Sequence, residues 1–260
     1  MDTSLETILQ QADTLKIRLQ QVRPLDNEAL SKIKSALEME YTFESNRIEG
    51  NTLTLQETAL VVSEGVTIGG KSMREHLEAI NHAQAIEFIK EIASADIDIT
   101  ERTVKEIHAL ILHGINREQA GRYRSVPVMI VGSRHMPPQP YLIAPQMEQF
   151  IRDYSSLQSS GAHPVLVAAF LHDELVKIHP FIDGNGRTSR LLMNLYLLSK
   201  GYPITTQKGD SEAKQAYYAA LEQSHVDGDR KPFNLLVAST VKQSLERYLQ
   251  IIEAPEQARS

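Results

Sequence analysis

The stretch Ile178 to Leu192, IHPFIDGNGRTSRLL, sets a histidine, an aspartate, an asparagine, two glycines and two arginines between two aliphatic runs. Pro180 disfavours the helical conformation at His179, so the apolar segment AAFLHDELVKI over 168–178 predicts a buried helix that ends at the histidine. Gly184 and Gly186 permit positive φ and close approach of the backbone to a ligand. Leu191, Leu192, Leu195 and Leu198 then recur on one side of a second helix. The stretch is a polar corner between two buried helices, and the rest of the chain builds a helical fold outward from it.

Upstream, Leu5, Ile8, Leu9, Ala12, Leu15 and Leu19 recur at helical steps, and Leu30, Ile33, Leu37 and Tyr41 resume the pattern after a break at Pro24. Further helices are expected over 55–64, 72–92, 100–113, 145–158, 163–178, 187–200, 210–226 and 232–252, with Gly201 and Pro203 as a helix stop. One segment departs from this rhythm. GRYRSVPVMIVGSRHMPPQP holds a β-branched run from Val126 to Val131, then a Gly-Ser turn and prolines, which predicts a short β-hairpin flap at about 122–138. The expected organisation is all-α: N-terminal helices over 1–54, a catalytic domain over 55–252 carrying the flap, and a disordered tail over 253–260.

The chain has 260 residues and a net charge of −6, which gives no footprint for binding a nucleic-acid backbone, so any anion site must be local. It contains no cysteine, which excludes disulfides and thiolate metal sites. The start carries acidic residues where a signal peptide would be positive, and no apolar run reaches the roughly 18 residues of a membrane span. A soluble, cytoplasmic protein is expected, with no membrane or nucleic-acid partner.

Read as chemistry, the corner describes a metal-polyphosphate site with a histidine base beside it. Free amides at the second helix's N-terminus form an anion nest. Arg187 and Arg190, three apart, face the same anion, and a polyanion explains cations placed against the helix dipole. Asp183 supplies a hard oxygen suited to Mg²⁺. Neither a Walker-A loop nor a dinucleotide fingerprint is present.

HPFIDGNGR resembles the signature of the Fic family, His-x-Phe-x-Asp/Glu-Gly-Asn-Gly-Arg, and TSRLLMN continues it as in the animal endoplasmic-reticulum members. The resemblance implies a helical Fic-type bundle with a flap over the site, and AMP transfer from ATP to a Ser, Thr or Tyr hydroxyl of a target protein. By the resemblance, His179 is the base, Asp183 binds Mg²⁺ or Mn²⁺, and Gly184, Asn185 and Gly186 cradle the phosphates. Arg187 and Arg190 clamp them, with Thr188 and Ser189 on the same turn. Val131, Gly132, Ser133 and His135 of the flap lie near nucleotide or target, which pairs along the flap by strand addition. Tyr217 matches a position near the adenine, and His225 a polar position on the nucleotide side. Kinase relatives of the Doc type carry Lys where this chain has Gly186. Upstream, SNRIEGN fits the family's inhibitory pattern at Ser45, Glu49 and Gly50, which implies that Glu49 pairs with Arg190 and obstructs the γ-phosphate. The resemblance also implies AMP removal and homodimerisation, both known among members.

Two rival readings stand beside this one. His172 and Asp173 of LHDE could begin a metal-dependent phosphohydrolase site with His179 and Asp183, although adjacent helical residues diverge by about 100°. A non-catalytic helical binding or antitoxin-like module would keep the fold without turnover. His76 with His82, and His108 with His113, lack the four-residue spacing of helical metal ligands and read as packed or partly exposed.

Overall fold

In the computed structural model, residues 4–21, 27–95 and 97–253 are described. The expected break at Pro24 and the tail beyond Glu253 lie outside them. Ten α-helices are described: α1 (Leu5–Gln21), α2 (Asn27–Ile48), α3 (Leu55–Ala59), α4 (Met73–Ser94), α5 (Glu101–Ile111), α6 (Ile143–Ser159), α7 (Pro164–Ile178), α8 (Asn185–Ser199), α9 (Ser211–Glu222) and α10 (Lys231–Glu253). Single π turns extend α3 and α9, at Leu60–Glu64 and Gln223–Asp227.

The centre of the fold is the pair on either side of the polar corner. α7 packs along α8, and α4 and α5 cover the far side of α8. Val165, Ala168, Leu171 and Leu175 of α7 are fully buried, as are Leu191, Leu192 and Leu197 of α8. Truncating one such leucine to alanine costs about 2–5 kcal/mol. α1 packs on α10, and Ile8, Leu9, Tyr41 and Ile48 of the first two helices join the same core. α4 begins with a capping box, in which Ser72 Oγ accepts from Glu75 N while Glu75 accepts from Ser72 N. That cap fixes where Arg74 and Glu78 leave the helix.

The hairpin is corrected by the structure. Among the described residues no strand forms, and 122–139 is an extended loop with one turn at Val131–Gly132. The β-branched run gains nothing from pleated packing, because Met129 and Val131 are largely or fully exposed. Pro127, Pro137 and Pro138 remove donors that a ladder would need. The guanidinium of Arg124 instead ties both limbs together: Nη1 donates to Val126 O at 3.0 Å and Nη2 to Pro138 O at 2.6 Å. The turn is held by Glu222 at the end of α9, which accepts from Arg134 N at 2.8 Å and pairs with Ser133 Oγ.

Candidate active site

α7 ends at His179, the only non-glycine residue with positive φ (50°) among the described residues. Pro180 disfavours the right-handed helical conformation at His179 but does not by itself call for the left-handed one, whose cost of about 1–3 kcal/mol is borne by anchors on both sides. His179 N donates to Leu175 O at 3.0 Å. Arg124 Nε donates to His179 O at 2.8 Å, and Arg124 N to Pro180 O at 2.9 Å. His179 Nδ1 lies 3.2 Å from Val176 O, which can only accept, so Nδ1 carries the proton and Nε2 keeps its lone pair. An ordinary imidazole near 6.5 is not what the structure holds. Burial pushes His179 down to about 4, with the nearby Arg124 charge acting in the same sense and Glu49 opposing it. The ring is neutral at pH 7.

The loop after His179 is closed by Asn185. Its Oδ1 accepts from Phe181 N at 3.0 Å and its Nδ2 donates to Phe181 O at 2.9 Å, so this asparagine shapes the cradle from within. Phe181 stacks on His108, with centroids 3.6 Å apart. His108 Nδ1 accepts from Gly121 N at 2.9 Å, which leaves Nε2 to donate to Asp183 O at 2.9 Å. Burial lowers the His108 pKa to about 4, consistent with a fixed neutral tautomer. Gly184 sits at φ 77°, and a Cβ there would press on Ile111 Cγ2 at 3.2 Å. The first intrahelical bond of α8 is Thr188 N to Gly184 O at 2.9 Å, so the amides of Asn185, Gly186 and Arg187 face the corner, while Gly184 N is taken by Asp183 Oδ1.

The charged side chains converge on this helix end. Arg190 is buried; its Nε donates to Ser45 Oγ at 3.0 Å, and its Nη2 donates to Ser45 O at 2.9 Å and Glu49 Oε1 at 2.7 Å. Burial opposes ionisation of Glu49, but Arg190 and Arg187 outweigh it and hold the carboxyl below its ordinary range. A Cβ on Gly186 would overlap Glu49 Oε1 and lie 3.1 Å from Arg190 Nη1, so the glycine is the floor on which that carboxylate rests. Gly50 turns the chain after Glu49 at φ 95°. Arg187, also buried, places Nη1 3.2 Å from Glu78 Oε1 and Nη2 3.3 Å from Asp183 Oδ1. Its Nε is buried without a hydrogen-bond partner, an exception a bound anion would satisfy. Asp183 is desolvated in part, yet Arg187 and Arg74 keep its carboxyl below the usual value. One half-exposed carboxylate beside an anion nest fits a divalent ion that takes its other ligands from phosphate oxygens and water.

Thr188 and Ser189 point into the protein rather than at the corner: Thr188 is fully buried and Ser189 Oγ donates to Gly186 O at 2.8 Å. Tyr217 is buried behind Arg190, with its hydroxyl 3.5 Å from Arg190 Nη1 and 3.1 Å from His172 Nε2. His225 is packed against Asp173, Nε2 to Oδ1 at 2.9 Å, and its ring lies 5.0 Å from that of His135. His135 Nε2 bonds Lys177 O at 2.8 Å, while Ser133 and Gly132 stay at the flap turn and Val131 projects into solvent. Asp173 thus spends its carboxylate on His225, Ser224 and Arg230, and His172 meets the Tyr217 hydroxyl through Nε2 while its Nδ1 is buried without a hydrogen-bond partner. Among the described residues no three His, Asp or Glu side chains gather where they could hold a metal, so the phosphohydrolase arrangement does not assemble.

Reading by motif missed His108, Arg124, Arg74 and Glu78. None belongs to a patterned run, and only the buried polar positions on otherwise apolar helix faces hint at His108 and Glu78.

The Fic/DOC family model matches residues 98–197. The protein adenylyltransferase Fic of Drosophila melanogaster is 37% identical over 223 residues, 86% of this chain and 44% of that protein. The chain therefore spans a little under half the length of that relative. Among solved structures, Fic-1 from C. elegans superposes with a TM-score of 0.87 at 29% identity, covering 98% of this chain and 74% of that one. A Fic-domain signaling protein from Bacteroides thetaiotaomicron gives 0.84 at 29% identity, with 95% and 98% covered.

Proposed function

The chain belongs to the Fic/DOC family, and from that premise we propose that it is an autoinhibited protein adenylyltransferase, with ATP and a target-protein hydroxyl as substrates. The observation that carries the proposal is the convergence at one helix end of a neutral histidine with a free Nε2, open main-chain amides and two buried arginines. In the reaction, His179 Nε2 takes the proton of the target Ser, Thr or Tyr hydroxyl as its oxygen attacks the α-phosphorus. The bond from that phosphorus to the bridging oxygen breaks, and pyrophosphate leaves. The negative charge of bound ATP raises the His179 pKa from its low resting value toward the operating range of a general base, a role worth about 10²–10⁴ in rate. Arg187 and Arg190 hold the phosphate charge in a water-poor setting, and Gly186 lets the phosphates approach the main chain. A Mg²⁺ or Mn²⁺ ion on Asp183, when bound, neutralises charge on the phosphate oxygens.

Glu49, from the N-terminal segment 1–54, holds the resting state. Its carboxylate sits on Arg190 and above Gly186, where a phosphate of ATP has to lie, so ATP binds productively only when Glu49 moves. The target lies along the exposed edge 126–136, whose side chains Val126, Met129, Val131 and Met136 stand out in solvent. The deciding test is transfer of label from [α-³²P]ATP to protein by the wild type, Glu49→Gly, and Glu49→Gly with His179→Ala. The proposal predicts low, high and background labelling in that order, and background labelling by all three would overturn it. Freed from Arg190, the ionised Glu49 is also suited to take a proton from a water that attacks the α-phosphorus of an AMPylated target. The bond from that phosphorus to the target oxygen breaks, AMP leaves, and a proton that His179 Nε2 has taken up from solvent passes to the departing oxygen. A purified AMPylated target that keeps its label in the presence of the wild type would refute that second activity.

No helix among the described residues is long and apolar enough to cross a membrane.

A further inference from the structure

Asp183 is held from three directions. Its main-chain oxygen accepts from His108 Nε2 at 2.9 Å, and its Oδ1 accepts from Gly184 N at 2.6 Å and Arg187 Nη2 at 3.3 Å. Among the described residues its Oδ2 is taken by Arg74 Nη2 alone. Arg74 leaves the first turn of α4 with a side chain 56% exposed, and its Nε also donates to Glu78 Oε1 at 3.1 Å. The same Glu78 oxygen lies 3.2 Å from Arg187 Nη1. Arg74, Asp183, Arg187 and Glu78 therefore close a ring of alternating charge. Glu78 Oε2 accepts from Asn51 Nδ2 at 3.1 Å, which joins the ring to the segment that carries Glu49.

A carboxylate that serves a divalent ion must offer it a lone pair. Oδ1 already receives two donors, one of them a main-chain amide that cannot leave, so Oδ2 is the oxygen open to exchange. We propose that Arg74 is the resident cation of Asp183 in the nucleotide-free protein, and that the divalent ion entering with ATP displaces it. The inference rests on reading Asp183 as the metal ligand. Two cations on one carboxylate oxygen repel, which makes the process an exchange rather than a joint occupation. Arg74 can leave cheaply, since Glu78 retains it and half of its side chain already meets water. Asp183 does not need Arg74 for its position, because His108, fixed by Gly121 N and by the Phe181 stack, holds the main chain.

The resting site then contains an internal stand-in for each ion of the substrate. The Glu49 carboxylate occupies Arg190 in place of a phosphate, and the Arg74 guanidinium occupies Asp183 in place of the metal. Each closes a different half of the same site.

The exchange lowers apparent metal affinity by the strength of a half-exposed ion pair, about twofold to fivefold. The test uses Glu49→Gly as background and measures binding of α,β-methylene ATP, which cannot transfer AMP, by calorimetry over a series of Mg²⁺ concentrations. Arg74→Ala is expected to lower the half-saturating Mg²⁺ concentration about twofold to fivefold, with nucleotide affinity in EDTA unchanged. Arg74→Lys keeps the charge but not the fork to Glu78 and is expected to fall between. Arg102→Ala, a pair on the exposed face of α5, controls for loss of one positive charge and is expected to change nothing. An unchanged half-saturating Mg²⁺ concentration in Arg74→Ala overturns the exchange. A raised one with weaker binding in EDTA overturns it as well and makes Arg74 a phosphate contact. Asp183→Asn separates the two levels: if it keeps the full Mg²⁺ dependence, the metal-ligand reading has failed, independently of Arg74.

Discussion

Replacing Glu49 in graded steps separates charge from bulk in the resting contact. The pair is short, 2.7 Å between Arg190 Nη2 and Glu49 Oε1, with the Arg190 side chain 1% exposed and that of Glu49 30%. A charge-assisted hydrogen bond in such a setting contributes about 1.5–3 kcal/mol, against about 0.5–1.5 for a neutral one. ATP must offset the whole of that contact to reach Arg190. At about 1.4 kcal/mol per factor of ten, Glu49→Gly should raise ATP affinity and kcat/KM for AMP transfer roughly 10- to 150-fold. Glu49→Gln keeps the shape and a weaker bond, so the gain should be about 5- to 10-fold. Ser45 still receives Arg190 through its hydroxyl and its carbonyl, so the arginine stays in place in both variants. Calorimetry with α,β-methylene ATP gives the affinity, and [α-³²P]ATP labelling gives the rate. Equal values for wild type and Glu49→Gly would refute the reasoning outright. A glutamine variant as active as the glycine one would show that charge alone holds the site closed, and one as inactive as wild type would show that bulk does.

The remaining predictions concern the base, the acid limit of stability and the flap. In the Glu49→Gly background, His179→Ala should lower AMP transfer about 10²–10⁴-fold in a protein that is still folded at the assay temperature, checked by labelling and circular dichroism; a loss under tenfold would remove His179 as the base. Because burial pushes His179 down to about 4, the acid limb of kcat/KM for AMP transfer, which reports the free protein, should lie below pH 6; an inflection at or above 6.5 would contradict the buried setting. His108, His172 and His179 sit near 4, 3 and 4, and His82 is also lowered, all by burial. The unfolded chain binds these protons from about pH 6.5 downward while the folded one refuses them, so stability is full above 6.5 and falls below it by up to about 1.4 kcal/mol per histidine per pH unit. Urea midpoints equal at pH 7.5 and 5.0 would refute this. Arg124→Ala strands the carbonyls of Val126, Pro138 and His179 and should cost about 2–4 kcal/mol, with faster proteolysis within 126–137; unchanged cleavage would mean that Arg124 does not hold the flap.

The convergence of the candidate site was legible where its residues are contiguous in the chain. His179, Asp183, Gly186, Arg187 and Arg190 fall within one helix-breaking corner, and local rules of proline, glycine and helix ends place them together. The helices were legible from apolar period, and their bounds moved by only a few residues. Long-range polar contacts were not. His108 holds the Asp183 main chain across 75 positions, and nothing in a lone histidine on an amphipathic helix says whether its ring meets water or a carbonyl. The flap failed for a related reason. Val126 to Val131 has the composition of a strand, but a strand exists only when another pairs with it, and Arg124 had already claimed the carbonyls that would have done so. The ring of Tyr217 packs behind Arg190, with its hydroxyl 3.5 Å from Nη1, a contact that the sequence pattern did not indicate.

Arg190 ties the proposed inhibition by Glu49 to folding. A guanidinium with 1% of its side chain exposed cannot be left without an anion, since an unpaired buried charge costs several kcal/mol. Ser45 and Tyr217 offer only neutral oxygens, and the raised Arg190 pKa, achieved against burial, is due chiefly to Glu49. The protein without nucleotide therefore needs Glu49, or something like it, for stability, and under the proposed function the protein with nucleotide needs Glu49 gone. A phosphate is the one ligand that satisfies both demands at once, because it supplies the missing anion as it displaces the carboxylate. The arginine proposed to clamp ATP is for this reason also the contact that keeps the resting helix α2 seated. Whatever weakens Glu49 in the absence of ATP should loosen the end of that helix before it alters the catalytic corner, whose own anchors, Asn185, His108 and Arg124, do not pass through Arg190.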